Sequence, residues 1–279
     1  MKILYTTDIH GVIWKYEQIF HEAKVQNVDL VINGGDMLPF RGNLLHQDQF
    51  IMTFLDEYFY RFESSKMYFL SQLGNDDLMI FDKLFQKVCD KYSYIFEIAQ
   101  KTYQIESYEF IGMNWVIDLP FGLKDRARMD NDNFEIPKQI GKAYLSTLNG
   151  WKRVEDWALY IRSLPTIEEE LSRLVKPVNL KNTIYIIHQP PSNLSLDVCQ
   201  DGRKVGSNSI YQFLLKYQPL VSLHGHIHES PDISGKWYTK LKNTLTIQPG
   251  QSKQNEDYLI YVYLNLDKMQ FERKLIKRE

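Results

Sequence analysis

The sequence predicts an α/β fold with a functional site at the carboxyl ends of its strands, on two observations. The first 36 residues read strand, helix, strand, and each strand runs straight into polar residues, Asp8-Ile9-His10-Gly11 and then Asn33-Gly34-Gly35-Asp36. Three later apolar runs end the same way, at Gly74-Asn75-Asp76-Asp77, His188-Gln189-Pro190-Pro191 and His224-Gly225-His226-Ile227-His228. Open α/β sheets build their sites at this end of the strands.

Lys2 to Thr6 is a compact apolar strand, Trp14 to Gln26 a helix, and Asp29 to Ile32 a second buried strand. Phe50, Phe54, Tyr58 and Phe62 recur at steps of four beside Ile51, Leu55 and Phe59, a wide helical face that reads as core packing. A third strand, Lys66 to Ser71, leads to a helix from about Leu78. Residues 92 to 118 alternate and are rich in Tyr, Ile and Phe, which predicts two or three antiparallel strands. Residues 121 to 165 break the rhythm, and Thr166-Ile167-Glu168-Glu169 is a capping box that opens another helix. Thr183 to Ile187 is a β-branched strand, followed by a helix near Ser209 to Lys216, a strand from Leu220 to Leu223, and a tail from Lys236 to Lys277 that reads as successive antiparallel strands. No repeat, low-complexity tract or linker marks a boundary, so one domain over residues 1–279 is expected, with insertions at about 40–65 and 121–165.

Composition narrows the function. Lys plus Arg total 33 against 35 Asp plus Glu, a net charge of -2, which excludes a partner chosen by bulk charge such as duplex DNA or an anionic membrane. Hydrophobic residues at 44% and charged residues at 24% place the chain among globular proteins that fold alone. The two cysteines, Cys89 and Cys199, form no metal or redox spacing, and the apolar start MKILYTTDIHG is shorter than a signal-peptide core. No run of about 18 apolar residues occurs. The expectation is a soluble protein of the cytoplasm.

Each polar cluster is weak alone: Gly35-Asp36 is an ordinary turn dipeptide, and a lone His188 is commonly a hydrogen-bonded core histidine. His226 and His228 are stronger, because alternate residues of an extended segment present both imidazoles to one side. Jointly, successive strand ends supply Asp8, His10, Asp36, Asn75, His188, His226 and His228, all competent to bind a metal.

These motifs, Asp-x-His, Gly-Asp, Gly-Asn, His and Gly-His-x-His, resemble those of the calcineurin-like metallophosphoesterase superfamily over roughly residues 1 to 250. Among its members, the chain is more similar to the small bacterial and archaeal phosphodiesterase-like proteins than to phosphoprotein phosphatases. The resemblance implies a four-layer sandwich of two mixed β-sheets flanked by helices. It implies that Asp8, His10 and His228 hold one divalent ion, that Asn75, His188 and His226 hold a second, and that Asp36 bridges them. Oxygen and nitrogen donors without thiolate suit manganese, iron or zinc. The implied activity is hydrolysis of a phosphate ester by metal-bound hydroxide, on a small phosphorylated substrate with a nucleotide among the candidates.

Many relatives carry a histidine after the asparagine; here Asp76 stands there. A carboxyl with the reference pKa of about 3.9 is ionised at neutral pH, whereas an imidazolium still has a proton to give a leaving group. The alternative reading of Asp76 is a helix cap. His224, one residue before Gly225, is a further imidazole that either serves the chemistry or makes a structural hydrogen bond, and with Asp76 it forms the candidate catalytic pair. Arg41, Lys124, Arg126 and Arg128 read as solvated charges, with a phosphate clamp as the alternative; Trp151, Trp157 and Tyr160 read as packing residues, with base stacking as the alternative. Two rivals to a phosphodiesterase remain: a binding or scaffold module that keeps the fold, and a nuclease, which the lack of a basic stripe disfavours. Nothing in the sequence fixes an oligomeric state. Four of the 7 histidines are expected metal ligands, and two bound dications give a slightly acidic chain a pocket attractive to phosphate.

Overall fold

The computed structural model describes residues 1–252 and 257–278. Its strands begin with β1 (Lys2–Thr6), β2 (Leu30–Asn33), β3 (Tyr68–Ser71), β4 (Ile95–Glu97), β5 (Thr102–Ile105), β6 (Tyr108–Met113), β7 (Val116–Ile117) and β8 (Ala127–Arg128). They continue with β9 (Ala143–Thr147), β10 (Gly150–Val154), β11 (Thr183–Ile187), β12 (Val221–Leu223), β13 (Tyr238–Leu241), β14 (Thr244–Ile247), β15 (Tyr258–Asn265) and β16 (Gln270–Lys277). The helices are α1 (Ile13–Val25), α2 (Gln47–Phe50), α3 (Asp56–Ser64), α4 (Asp82–Cys89), α5 (Trp157–Ile161), α6 (Ile167–Arg173), α7 (Asn208–Tyr217) and α8 (Ser230–Ser234).

Two six-stranded sheets stack face to face, in the orders β16-β15-β1-β2-β3-β4 and β13-β14-β12-β11-β6-β5. Both are mixed: β1 to β4 run parallel and β15 and β16 antiparallel, while β14, β12, β11 and β6 run parallel between antiparallel edges. The period-two alternation of strand side chains divides the core into layers. Leu4, Val31 and Phe69 face outward onto α1, α3 and α4, whereas Ile3, Tyr5, Leu30 and Ile32 face Phe110, Ile184, Ile186 and Leu223 of the second sheet. On its far side the second sheet turns Ile111, Tyr185 and Ile187 onto Ile167 and Leu171 of α6 and Ile210 and Leu214 of α7. Helix, sheet, sheet and helix make the expected four layers.

The aromatic row from Phe50 to Phe62 packs in the outer core as its spacing predicts. Tyr58 lies 5.1 Å from the ring of Tyr16, and Phe62 lies 4.8 Å from Phe69. A π-helical turn, Ile51–Leu55, joins α2 to α3. The expected capping box opens α6, with the Thr166 hydroxyl accepting from the Glu169 amide and the Glu169 carboxylate accepting from the Thr166 amide. Ser207 caps α7 by accepting from the Ile210 amide at 3.0 Å.

The expected antiparallel strands form in residues 92 to 118, as the pair β5–β6, and in the tail, as the pairs β13–β14 and β15–β16. In residues 92 to 118, β4 joins the first sheet parallel to β3, and only β5 and β6 form an antiparallel pair. Alternation reports a half-buried strand but carries no information about its neighbour's direction. In the tail, β14 lies parallel to β12 although β13 and β15 have antiparallel partners, and residues 253–256 of that stretch fall outside the described residues. Residues 121 to 165 hold the hairpin β9–β10, α5 and a small core of Ala127, Met129, Ala143, Trp157 and Ile161. Among the described residues no helix is long and apolar enough to cross a membrane.

Candidate metal centre

The parallel strands of the two sheets end on one edge of the sandwich, and the polar clusters meet there. Asp8 and His10 follow β1, Asp36 follows β2, Asn75 and Asp76 follow β3, His188 follows β11, and His226 and His228 follow β12. The chain is drawn tightly across this edge. Asp8, His10, Asp36 and His226 all have positive φ, between 51° and 69°, a conformation that costs a non-glycine residue of order 1–3 kcal/mol. The Asp8 amide donates to the Gly35 carbonyl, the His10 amide to the Asp36 carbonyl and the His226 amide to the Asp8 carboxylate, so the turns hold one another. Gly74 lies so close to Asp36 that a Cβ there would collide with its backbone nitrogen and carboxylate.

Two groups of ligand atoms result. Asp8, His10, Asp36 and His228 each present one atom within 4.8 Å of the others, and Asp36, His188 and His226 do the same on the other side. The Nε2 atoms of His10 and His228 face each other at 3.1 Å, and His228 Nε2 lies 3.4 Å from Asp8 Oδ1. Across the shared Asp36, His188 Nε2 lies 3.4 Å from its Oδ2 and 2.9 Å from the Asn75 amide oxygen. Donor atoms bonded to one ion at about 2.0–2.2 Å stand roughly 3–3.5 Å apart, so this spacing fits a cation in each group. Among the described residues buried His226 Nε2 and Asp8 Oδ2 make no hydrogen bond, an arrangement costly enough to need such a purpose. His188 Nδ1 lies 3.1 Å from the Gly34 carbonyl, the partner that fixes the tautomer and leaves Nε2 to face inward. The two clusters are those of a dinuclear divalent-metal site.

Electrostatics agree. Burial raises the Asp8 carboxyl, but the imidazoles of His228 and His188 outweigh it and hold Asp8 down at about 2. Asp36 is likewise desolvated, and His188 and His10 hold it lower still. Burial opposes charge on His188, yet Asp36 and Asp8 lift it to about 9; His226, desolvated and beside His188, falls to about 3. Two carboxylates thus face imidazoles, a charge distribution that a dication completes.

The family description Calcineurin-like phosphoesterase matches residues 1–230. The chain belongs to this family. It is a metal-dependent phosphoric ester hydrolase by fold and by metal cluster. One solved crystal structure is 16% identical with a TM-score of 0.62, covering 100% of this chain and 99% of the other. Another, TT1561 of Thermus thermophilus, is 13% identical with a TM-score of 0.58, covering 98% and 97%. These two likenesses extend the shared fold over nearly the whole chain. No curated protein matches the sequence.

Around this phosphoesterase centre other residues take places that the sequence hid. Asp76 lines the cleft beside Asn75, donates its amide to Asp36 Oδ1 at 2.8 Å, accepts from Asn75 Nδ2 at 3.0 Å and lies 4.0 Å from His10 Nδ1. It is part of the site rather than a helix cap. His224 is not brought to the cleft. Its Nε2 meets Ser222 Oγ at 2.7 Å and its Nδ1 meets the carbonyls of Ile187 and Gln189 at 2.9 Å, while burial pushes it down to about 4. A neutral ring engaged by these neighbours ties the strand ends together behind the ligands, which corrects the catalytic expectation for His224. Asp77 does similar work, accepting the amides of Met37, Leu38 and Gly74. Its one sequence signal is its place directly after Asp76.

The cations of the inserted segment also need correction: Lys124, Arg126 and Arg128 are buried, not solvated, and serve the wall. Lys124 pairs with Asp118 at 2.5 Å, Arg126 with Asp82 at 2.6 Å, and Arg128 stacks 3.7 Å over Trp115 near Glu170. Arg126 Nε also donates to the Gly74 carbonyl at 2.7 Å, bracing the turn that carries Asn75. Arg41 is exposed beside Phe40, whose ring packs 4.5 Å from His10. Trp157 is buried and donates to Asp118, with Tyr160 stacked on it; both are packing residues, and Trp151 sits on the outer hairpin.

Proposed function

We propose that this phosphoesterase is a phosphodiesterase acting in the cytoplasm on a small phosphorylated molecule, a nucleotide among the candidates, rather than on nucleic acid. The observation that carries the reading is the pair of ligand groups sharing Asp36, which with Asn75, His226 and His228 lines a cleft of about 330 Å³. In this account Asp8, His10 and His228 would hold one divalent ion, Asn75, His188 and His226 would hold the other, and Asp36 would serve both. Manganese, iron and zinc all suit these donors. Such ions would supply Lewis acidity to a phosphoryl oxygen and would bring the pKa of a bound water toward neutrality.

The remaining work falls to the protein. The positive-φ turns fix the donors before substrate arrives, which lowers reorganisation on binding. Arg126, the one Lys or Arg lining the cleft among the described residues, already serves Asp82 and Gly74, while Asp76 and Glu229 add negative charge to the rim. A diester monoanion meets less repulsion here than a monoester dianion. With Asp76 where an imidazolium would protonate the departing oxygen, leaving groups that depart without a proton are served best. We read the whole chain as one domain in which residues at about 40–65 and 121–165 are insertions. Free Cys89 and Cys199 support the reducing compartment.

The test combines metal analysis with hydrolysis of bis(4-nitrophenyl) phosphate and 4-nitrophenyl phosphate in Mn²⁺. Two ions per chain and preference for the diester are expected, with Asp36→Asn and His188→Ala each losing about a hundredfold or more. Full activity in both variants overturns the reading.

A further inference from the structure

The cleft that carries the ligand groups has a second half whose chemistry is different. It is lined by Asp36, His226 and His228 and also by Ile117, Leu119, Phe121 and Leu123. Phe121 is 62% exposed and lines the same cleft as the ligand groups' Asp36, His226 and His228. It is also held in place rather than loose. Its amide donates to the Leu119 carbonyl at 2.8 Å, the Lys124 ammonium donates to that same carbonyl, and the Pro120 carbonyl accepts from the Ile140 amide. Lys124 and Trp157 fasten Asp118 from beneath. The ring is therefore displayed on a fixed support, so a ligand covering it gains apolar burial without ordering a loop.

We propose that this wall is the subsite for an uncharged aromatic or aliphatic ester group of the substrate, with Phe121 as its specificity-determining contact. The inference rests on the phosphodiesterase reading and narrows it: the phosphate lies over the ligand groups while one organic substituent lies against residues 117–123. Charge supports the assignment. The guanidinium of Arg126 is engaged by Asp82, the ammonium of Lys124 by Asp118, and Glu229 borders the same space, so among the described residues a substituent carrying further phosphates finds no ready cation on this side. A covered phenyl ring contributes about tenfold in affinity, enough to select one diester over another.

Titration calorimetry of the Mn²⁺-loaded full chain with diphenylphosphinate and dimethylphosphinate tests this, since both carry one negative charge and neither has an ester bond to cleave. Diphenylphosphinate is expected to bind about tenfold more tightly or better. Phe121→Ala lowers that ratio at least about threefold, Phe121→Trp preserves it, and Leu148→Ala on the outer hairpin leaves it as it was. Equal affinities, undetectable binding of diphenylphosphinate at millimolar concentration, or an unchanged ratio in Phe121→Ala overturns the proposal. The ratio is read without turnover, so failure of the wild-type protein to hydrolyse any diester would count against the phosphodiesterase reading separately.

Discussion

In the ligand groups the carboxylates of Asp8 and Asp36 face imidazoles at 3.4 Å, and among the described residues buried Asp8 Oδ2 and His226 Nε2 have no hydrogen-bond partner. In the wall opposite, Lys124, Arg126 and Arg128 are equally buried, yet each is matched by an acid or an aromatic face. An unfinished set of buried charges marks a place awaiting a ligand, and a finished set marks a support. Both regions place charged residues in low dielectric. In the wall every cation has an opposing acid, although Arg128 Nε reaches Glu170 at 3.6 Å without a hydrogen bond, whereas the ligand groups converge two carboxylates and four imidazoles on one place.

Substitutions sharpen this contrast, beginning with the strongest. Asp36→Asn removes the carboxylate common to both ligand groups, and metal analysis with diester hydrolysis should show loss of bound ion and at least about a hundredfold loss of rate while the circular dichroism spectrum is kept. Lys124→Met acts on the wall in the opposite sense: Asp118 is left buried without its cation, costing about 3–5 kcal/mol in urea unfolding, while the rate per folded molecule in Mn²⁺ stays within a few-fold of wild type. Adding Asp118→Asn should recover part of that stability. A rate loss in Lys124→Met as large as that of Asp36→Asn would erase the distinction between the two regions.

How far each region was legible in the sequence follows from the same physics. The clusters of Asp and His were readable because each belongs to a short run after an apolar strand, and the strands' shared polarity brings those ends together. The two sheets and most helices were readable from period-two and period-four patterns, as at Ile3 and Tyr5 or Phe50 and Phe62. What failed was pairing across distance. Lys124 lies 6 residues from Asp118, but Arg126 lies 44 from Asp82, and nothing local says that their charges are buried together. His224 looked like a further site imidazole because its neighbours are ligands; only the direction of its ring, toward Ser222 and two carbonyls, separates it from them.

Smaller effects probe the seam between the regions. Arg126→Lys loses the Nε contact to the Gly74 carbonyl and should weaken metal binding about tenfold by titration with a fluorescent chelator competitor, with a modest fall in thermal midpoint. Metal removal by a chelator should lower the thermal midpoint of wild type, because ions bound to the folded state stabilise it, and should shift Asp36→Asn little. Leu148→Ser at the 88% exposed tip between β9 and β10 should change stability by less than about 0.5 kcal/mol and leave the rate unaltered.

Anomalous diffraction from crystals grown in Mn²⁺ shows whether one edge of the sandwich binds two ions around Asp36. The account predicts two peaks about 3.5–4 Å apart, one beside Asp8, His10 and His228 and the other beside Asn75, His188 and His226. A single peak, or two peaks that do not share Asp36, would contradict it.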